Sequence, residues 1–399
     1  MRERLDPTLF DLPEPAPEAA AHCRRVTDHI RSLIEAGGGF LSFHDYMNAA
    51  LYAPGLGYYS AGTQKFGAAG DFVTAPEISP LFAGCLARQC ADILERTGPG
   101  SVILEAGAGS GRLAADLLAA LERLGALPER YLILEVSGSL RERQRDVIEA
   151  TVPHLAERVT WLERLPEQTL SGVILGNELL DALPVERFRI GPDGLRQIGV
   201  GQSDDTLVLI DRPAPEALES AVHALEAETG QCLPEGYESE WSPQLPALGA
   251  SLAGLLETGL LLLIDYGMPL REYYLPERDR GTLMCHYRHR AHEDALLYPG
   301  LQDITAWVNF TAVAEAGVDA GLSLAGYTTQ AHFLLGSGID SVMADLATDD
   351  PRDQMMLAQQ ARQLALPGEM GERFKVIGLQ RGLDTLPSGF GFRDLAHRL

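Results

Sequence analysis

The chain has 399 residues, of which 46% are hydrophobic and 22% charged, enough apolar content for a sizeable core and too much for a disordered chain. At roughly 150 residues per domain, it holds two to three domains or one large domain with insertions. Its 32 Lys and Arg face 56 Asp and Glu, a net charge of −24, which argues against nucleic acid or an anionic membrane as partner, because both need a basic footprint.

Taken in chain order, residues 1 to about 20 read as an extended Pro-rich tail. They have no apolar h-region and are too acidic for a transit peptide, so the expected location is cytoplasmic. Val26 to Ala36 is an amphipathic helix closed by three glycines. Phe40 to Ser79 is rich in Gly and aromatic residues and reads as short helix and ordered loop. Pro80 to Arg96 is a helix. A different texture then begins. The strand Val102-Ile103-Leu104 leads through glycines to a helix over Arg112 to Leu124. Tyr131 to Val136 is a second strand, followed by a helix over Ser139 to Ala150. Val159 to Leu162 and Gly172 to Gly176 are third and fourth strands, the latter followed by a short helix from Glu178. Leu260 to Asp265 is a fifth, and it is too short to cross a bilayer. Apolar strands alternating with helices predict a parallel sheet covered on both faces, an α/β Rossmann-like core. Between the fourth and fifth strands, Arg187 to Asp211 alternates as an antiparallel meander and Pro215 to Thr229 reads as a helix. This stretch is an insertion on the core.

The sharpest chemical signal is Glu105-Ala106-Gly107-Ala108-Gly109-Ser110-Gly111, at the end of the first apolar strand. Its glycines allow a tight turn and close approach of a ligand. Arg112 stands where a dinucleotide fingerprint needs its third Gly, and the P-loop Lys is absent. That disfavours a nicotinamide-dependent oxidoreductase. E-x-G-x-G-x-G is the spacing of class I methyltransferases that use S-adenosylmethionine (SAM). Glu135, at the end of the second strand, is placed to accept hydrogen bonds from both ribose hydroxyls. Near the third strand's end, Trp161 reads either as an adenine flank or as core packing.

After the fourth strand comes Asn177-Glu178-Leu179-Leu180-Asp181. Ligands of open α/β sheets bind at the carboxyl ends of the strands, so this turn is expected to face the methyl donor. A guanidinium stays protonated and is a poor nucleophile. Glu178 and Asp181 are the candidates to hold it and stabilise its charge, with Asn177 orienting it. The alternative reading is that Asn177 and Asp181 merely cap a helix start.

Other constellations carry less. His286, His289 and His292 at spacing three suggest a metal site, but Arg288 and Arg290 between them would repel a cation, so no metal is expected. Asp303 and Thr305 read as caps of a helix over Ala306 to Val313. The five cysteines (Cys23, Cys85, Cys90, Cys232, Cys285) are scattered, without C-x-x-C, as in a reducing compartment. Residues 203–257 hold eleven acids and one base, a local charge of −10 that reads either as a solvated face or as a surface steering a basic protein.

Several long stretches resemble the MidA family of class I SAM-dependent methyltransferases. They are Phe43 to Met47, Pro54 to Tyr59, Gly70 to Ser79, the Gly-rich turn, Asn177 to Pro184, Ile264 to Gly267, Gly281 to Leu283, Tyr287 to His292, Gln302 to Thr305 and Phe374 to Val376. The resemblance implies a Rossmann-like fold, SAM as cofactor and, for mitochondrial members that are complex I assembly factors, methylation of protein arginine. It implies that Asp71 and Thr74 belong to a wall over the cofactor. The expected partner is a protein with an exposed arginine, with self-association as a homodimer left open. A methyltransferase for a small molecule and a SAM-binding assembly chaperone are the alternatives. The expected divisions are a tail (1–22), a helical and loop region (23–98), the SAM-binding core (99–186), the inserted meander and acidic helical segment (187–257) and the rest of the core sheet with substrate-facing loops (258–399).

Overall fold

The computed structural model describes residues 12–61, 73–384 and 386–399. Contacts gather the chain into two units: Met1–Phe72, Asp181–Gln244 and Pro269–Trp307 form one, and Val73–Leu180, Leu245–Met268 and Val308–Leu399 the other.

The larger unit is built on an eight-stranded sheet. Its strands are β1 (Val102–Ala106), β2 (Arg130–Leu134), β3 (Val159–Leu162), β4 (Leu170–Asn177), β5 (Leu256–Met268), β6 (Val308–Asn309), β7 (Ser323–Thr329) and β8 (Phe374–Arg381). The spatial order is β7-β8-β5-β4-β1-β2-β3, with β6 pairing the end of β5. Strands β1 to β5 run parallel, while β8 is antiparallel to both β5 and β7. The expected parallel α/β sheet is therefore present, extended by an antiparallel edge. Leu260 to Ile264 explain its centre: these five residues are at most 2% exposed, because helices cover both faces. Each such side chain contributes roughly 1.5–3 kcal/mol of burial. One face packs on helices Pro80–Thr97 and Arg112–Arg123, through Ile103, Val173, Leu175 and Leu262. Helix Phe310–Asp319 packs against helix Leu245–Leu255, where a Cβ on Gly249 would come within 2.7 Å of Ala316.

The chain reverses its direction of travel through the sheet between β1 and β4, which are neighbours. Registers Ala106↔Gly176, Ala106↔Leu134 and Ile264↔Asn177 bring the carboxyl ends of β1, β2, β4 and β5 to one edge. That edge is the ligand crevice of an open α/β sheet.

The smaller unit carries the meander as expected: Glu186–Gly191, Gly194–Ser203 and Thr206–Pro213 pair antiparallel, joined by Glu238–Trp241 and Leu41–Ser42. Helix Glu216–Thr229 follows the meander. A three-stranded sheet is made of Met284–Tyr287, Arg290–His292 and Asp303–Thr305.

Three expectations are corrected. The first helix begins at Pro17, with the proline in its first turn, so the extended tail does not reach residue 20 or 22. No helix follows Glu178, because its N–H is taken by the Ile264 carbonyl and its φ of 51° leaves the helical region. Asp303 and Thr305 cap nothing; they lie in a strand, and the next helix starts at Phe310, capped by the Asn309 side chain. Among the described residues, no helix is long and apolar enough to cross a membrane.

Candidate functional site

The Gly-rich turn takes the conformation its composition requires. Gly107, Gly109 and Gly111 have φ of 71°, 51° and 85°, values that L side chains adopt only with strain. At Gly111 space is also limiting, since a Cβ would lie 2.8 Å from Gln144 Cα. The turn ends in helix Arg112–Arg123, which has no side-chain cap at its start. The loop is pinned from one side by Ser110 Oγ, which donates to Glu77.

Glu105 precedes this loop but does not open onto it. It is 2% exposed, and Tyr131 OH donates to its Oε2 at 2.7 Å. Burial pushes its carboxyl up to about 7, and the Tyr131 hydrogen bond pulls the other way. Its link to the cofactor loop is through the backbone of β1.

Glu135 follows the end of β2 and is nearly buried. Its Oε1 accepts from Ser137 N at 2.8 Å and its Oε2 from Gln144 Nε2 at 3.1 Å. A carboxylate has about four lone-pair sites, and these two bonds orient that of Glu135. Trp161 on β3 donates from its indole N–H to Gln144 Oε1 at 3.0 Å, and the Arg145 guanidinium sits 4.7 Å over its ring.

Of the wall residues, Asp71 lies outside the described residues. Thr74 precedes the short helix Ala75–Ile78 without a side-chain cap. Ser79 acts as a cap: its Oγ accepts from Leu81 N and donates to Gln360. Glu77, to which the sequence reading gave no role, is the member of this segment that touches the Gly-rich turn.

Asn177 ends β4 and Glu178 follows on the turn. Asn177 Nδ2 donates to Glu178 Oε1 at 3.1 Å, while Asn177 Oδ1 is buried without a partner. Glu178 is one of few non-glycine residues with positive φ among the described residues, the kind of strain that collects at ligand sites. The turn is held by Asp265, wholly buried at the end of β5, whose Oδ2 accepts from Leu180 N at 2.8 Å. The Ile264-Asp265-Tyr266-Gly267 stretch marked that residue, but not its role.

Asp181 belongs to the smaller unit, where its carbonyl accepts from Ala306 N at 3.0 Å. Nearby, Tyr52 OH donates to the Ala182 carbonyl at 2.9 Å and Tyr59 OH to Asp303 Oδ1 at 3.0 Å, with the two rings stacked at 5.5 Å. Burial, and after it the charges of Asp303 and Asp181, hold the Tyr59 hydroxyl well above its usual range. Two matched stretches, Pro54 to Tyr59 and Gln302 to Thr305, thus meet around the segment that begins at Asp181. His286 and His292 lie on facing strands of the small sheet. Burial lowers the pKa of both, His292 to about 4, so both are neutral at pH 7. Among the described residues, no three His, Cys, Asp or Glu side chains are grouped to hold a metal.

The edge of the larger sheet fits an adenosyl cofactor. It offers a glycine turn with three positive φ values, a carboxylate oriented by two hydrogen bonds, an indole bonded to the same glutamine and an unpartnered amide oxygen at the neighbouring strand end. Comparisons agree. A family model of S-adenosyl-L-methionine-dependent methyltransferases matches residues 85–328. The chain is similar to mitochondrial protein arginine methyltransferase NDUFAF7 of Danio rerio, 29% identical over 89% of this chain and 87% of that protein. The Rattus norvegicus protein of that name is 29% identical over 91% of this chain and 86% of its own length. A Burkholderia thailandensis crystal structure of a COG1565 superfamily member, bound to S-adenosyl-homocysteine (SAH), is 45% identical with a TM-score of 0.92, covering 97% of this chain and 100% of that one.

Proposed function

Because this chain belongs to the S-adenosyl-L-methionine-dependent methyltransferase family, we propose that it methylates an arginine side chain of a protein. The observation that carries this reading is the Asn177–Glu178 turn: a carboxylate on a backbone of positive φ, with an unpartnered amide oxygen beside it, where an open α/β sheet presents its ligand. The name of the Danio rerio and Rattus norvegicus relatives, protein arginine methyltransferase, supports arginine as the acceptor.

When bound, SAM supplies an electrophilic methyl group on a sulfonium. The chain's own residues do the rest. The Gly107–Gly111 turn leaves room for the cofactor, and Glu135 accepts from its ribose hydroxyls. Glu178 accepts N–H bonds from the guanidinium, fixes which nitrogen faces the methyl group and balances its charge. Asn177 Oδ1 is a further acceptor. As the new N–C bond forms, the nitrogen sheds one proton, and the Glu178 carboxylate is the base placed to receive it. The protein is read as cytoplasmic, its homodimer state as open and a respiratory complex I subunit as the first client to try.

The test is transfer of labelled methyl from SAM by the purified protein into extract from cells that lack it. The reading expects the label in methylarginine after protein hydrolysis. It also expects Glu178→Gln to bind SAH like the wild type and transfer nothing. Label in a small molecule would support the alternative substrate class. SAH binding with no transfer by the wild type would support an assembly role.

A further inference from the structure

Three strand ends of the larger unit meet on one side chain. Gln144 lies on helix Gly138–Thr151, between Leu140 and Ile148, in the middle of the stripe that helix buries. It is 0% exposed. A primary amide in such a place is costly unless its hydrogen bonds are made. Here they are: Nε2 donates to the Gly109 carbonyl at 3.0 Å and to Glu135 Oε2 at 3.1 Å, and Oε1 accepts from the Trp161 indole at 3.0 Å. Gly111 lets the helix come this close.

We propose that Gln144 is a positioning residue that sets the cofactor-binding edge as one unit, tying the glycine turn, the ribose carboxylate and the indole through a single neutral amide. This rests on the reading of that edge as the SAM site.

The residue type follows from the three partners. Glu would turn a carboxylate toward the Gly109 carbonyl and the Glu135 carboxylate. Lys or Arg would draw off the charge of Glu135 and offer Trp161 no acceptor. Met would fill the space and offer none of the three partners a hydrogen bond. An amide alone donates twice and accepts once without adding a charge, which is what these three partners require. Because one side chain holds all three, loosening it loosens every subsite together.

The experiment is calorimetric titration of SAH and of adenosine into wild type, Gln144→Met, Gln144→Asn and the control Ile148→Ala, with Tm measured for each. Ile148 sits one turn along on the same buried stripe and touches none of the three partners by hydrogen bond. The expected result is that SAH affinity falls by about 10-fold or more in either Gln144 variant, and falls further than adenosine affinity, since only SAH also uses the glycine turn. At matched Tm loss, Ile148→Ala keeps its affinity within about 2-fold. KM for SAM rises with the loss while kcat at saturation is retained. SAH affinity within about 2-fold of wild type in a folded Gln144 variant overturns the proposal, as does an equal loss in Ile148→Ala or failure of both Gln144 variants to fold. Wild type that binds neither ligand defeats the SAM-site reading instead.

Discussion

Asp265 Oδ2 accepts the backbone N–H of Leu180 at 2.8 Å, so the last residues of β5 hold the turn that follows β4. Both residues are buried, and the carboxylate is also bonded by its own neighbour, Tyr266 N, at 2.9 Å. Glu178 therefore sits on a turn fixed from an adjacent strand. Removing the acceptor with Asp265→Ala leaves the Leu180 N–H buried and unpaired, at a cost of about 1–3 kcal/mol. Denaturant unfolding should show that loss. Because the turn carries Glu178, kcat should fall by about 10-fold or more. Unchanged kcat in a folded variant would separate the turn from catalysis.

The positive φ of Glu178 makes a prediction about stability alone. Glu178→Ala keeps the strain, whereas Glu178→Gly relieves it. The glycine variant should be the more stable of the two by about 1 kcal/mol, although glycine ordinarily costs that much in the other direction. Both should be inactive in transfer. An alanine variant as stable as the glycine variant would show that the backbone is not strained.

Glu105 gives the fold a pH dependence with a definite sign. Its carboxyl is raised from 4.5 to about 7 by burial, so the native state holds a proton that the unfolded chain releases. Over that interval the unfolded state binds fewer protons, and stability falls as pH rises from 4.5 to about 7, then levels off. The contribution is at most about 3 kcal/mol. Glu105→Gln keeps an acceptor for Tyr131 and cannot ionise. Its Tm should exceed that of wild type more at pH 8 than at pH 5, and equal differences at both values would remove Glu105 as the cause.

Tyr59→Phe deletes the donor to Asp303 and leaves the ring stack with Tyr52 intact. The loss should be about 1–2 kcal/mol by chemical denaturation. If the cluster supports the segment starting at Asp181, KM for a protein substrate should rise while SAH affinity stays at the wild-type value. A fall in SAH affinity would contradict that division.

What was legible in the sequence had a local cause. The β1 turn was readable because glycines at alternate positions are needed for its three positive φ values. The place of Glu135 at the carboxyl end of β2 was readable because it closes an apolar strand run. The sheet itself followed from runs like Leu260 to Ile264. The features that eluded reading are long-range. Gln144 looks like an ordinary surface residue in an arginine-rich helix until its burial is seen. Glu77 and Tyr59 gain meaning only from partners 33 and 244 residues away. The helix expected after Glu178 failed because Ile264 and Asp265 capture the backbone N–H groups of Glu178 and Leu180. The acidic stretch is also changed by its neighbours. Asp211 pairs with Arg189 and Arg196, Glu238 with Arg187 and Arg189, and Glu240 lies 4.0 Å from Arg187. Three of the eleven acids are thus met by arginines just outside the counted window. The exposed remainder, including Asp204, Asp205, Glu216 and Glu228, is what a basic partner could feel.

The central claim is methyl transfer to protein arginine, and the most direct measurement is mass spectrometry of methylated peptides from cells that lack this protein, complemented with wild type or Glu178→Gln. The account predicts at least one arginine-containing peptide that carries methyl groups with wild type and none with Glu178→Gln. Arginine methylation identical in all three cell lines would contradict it.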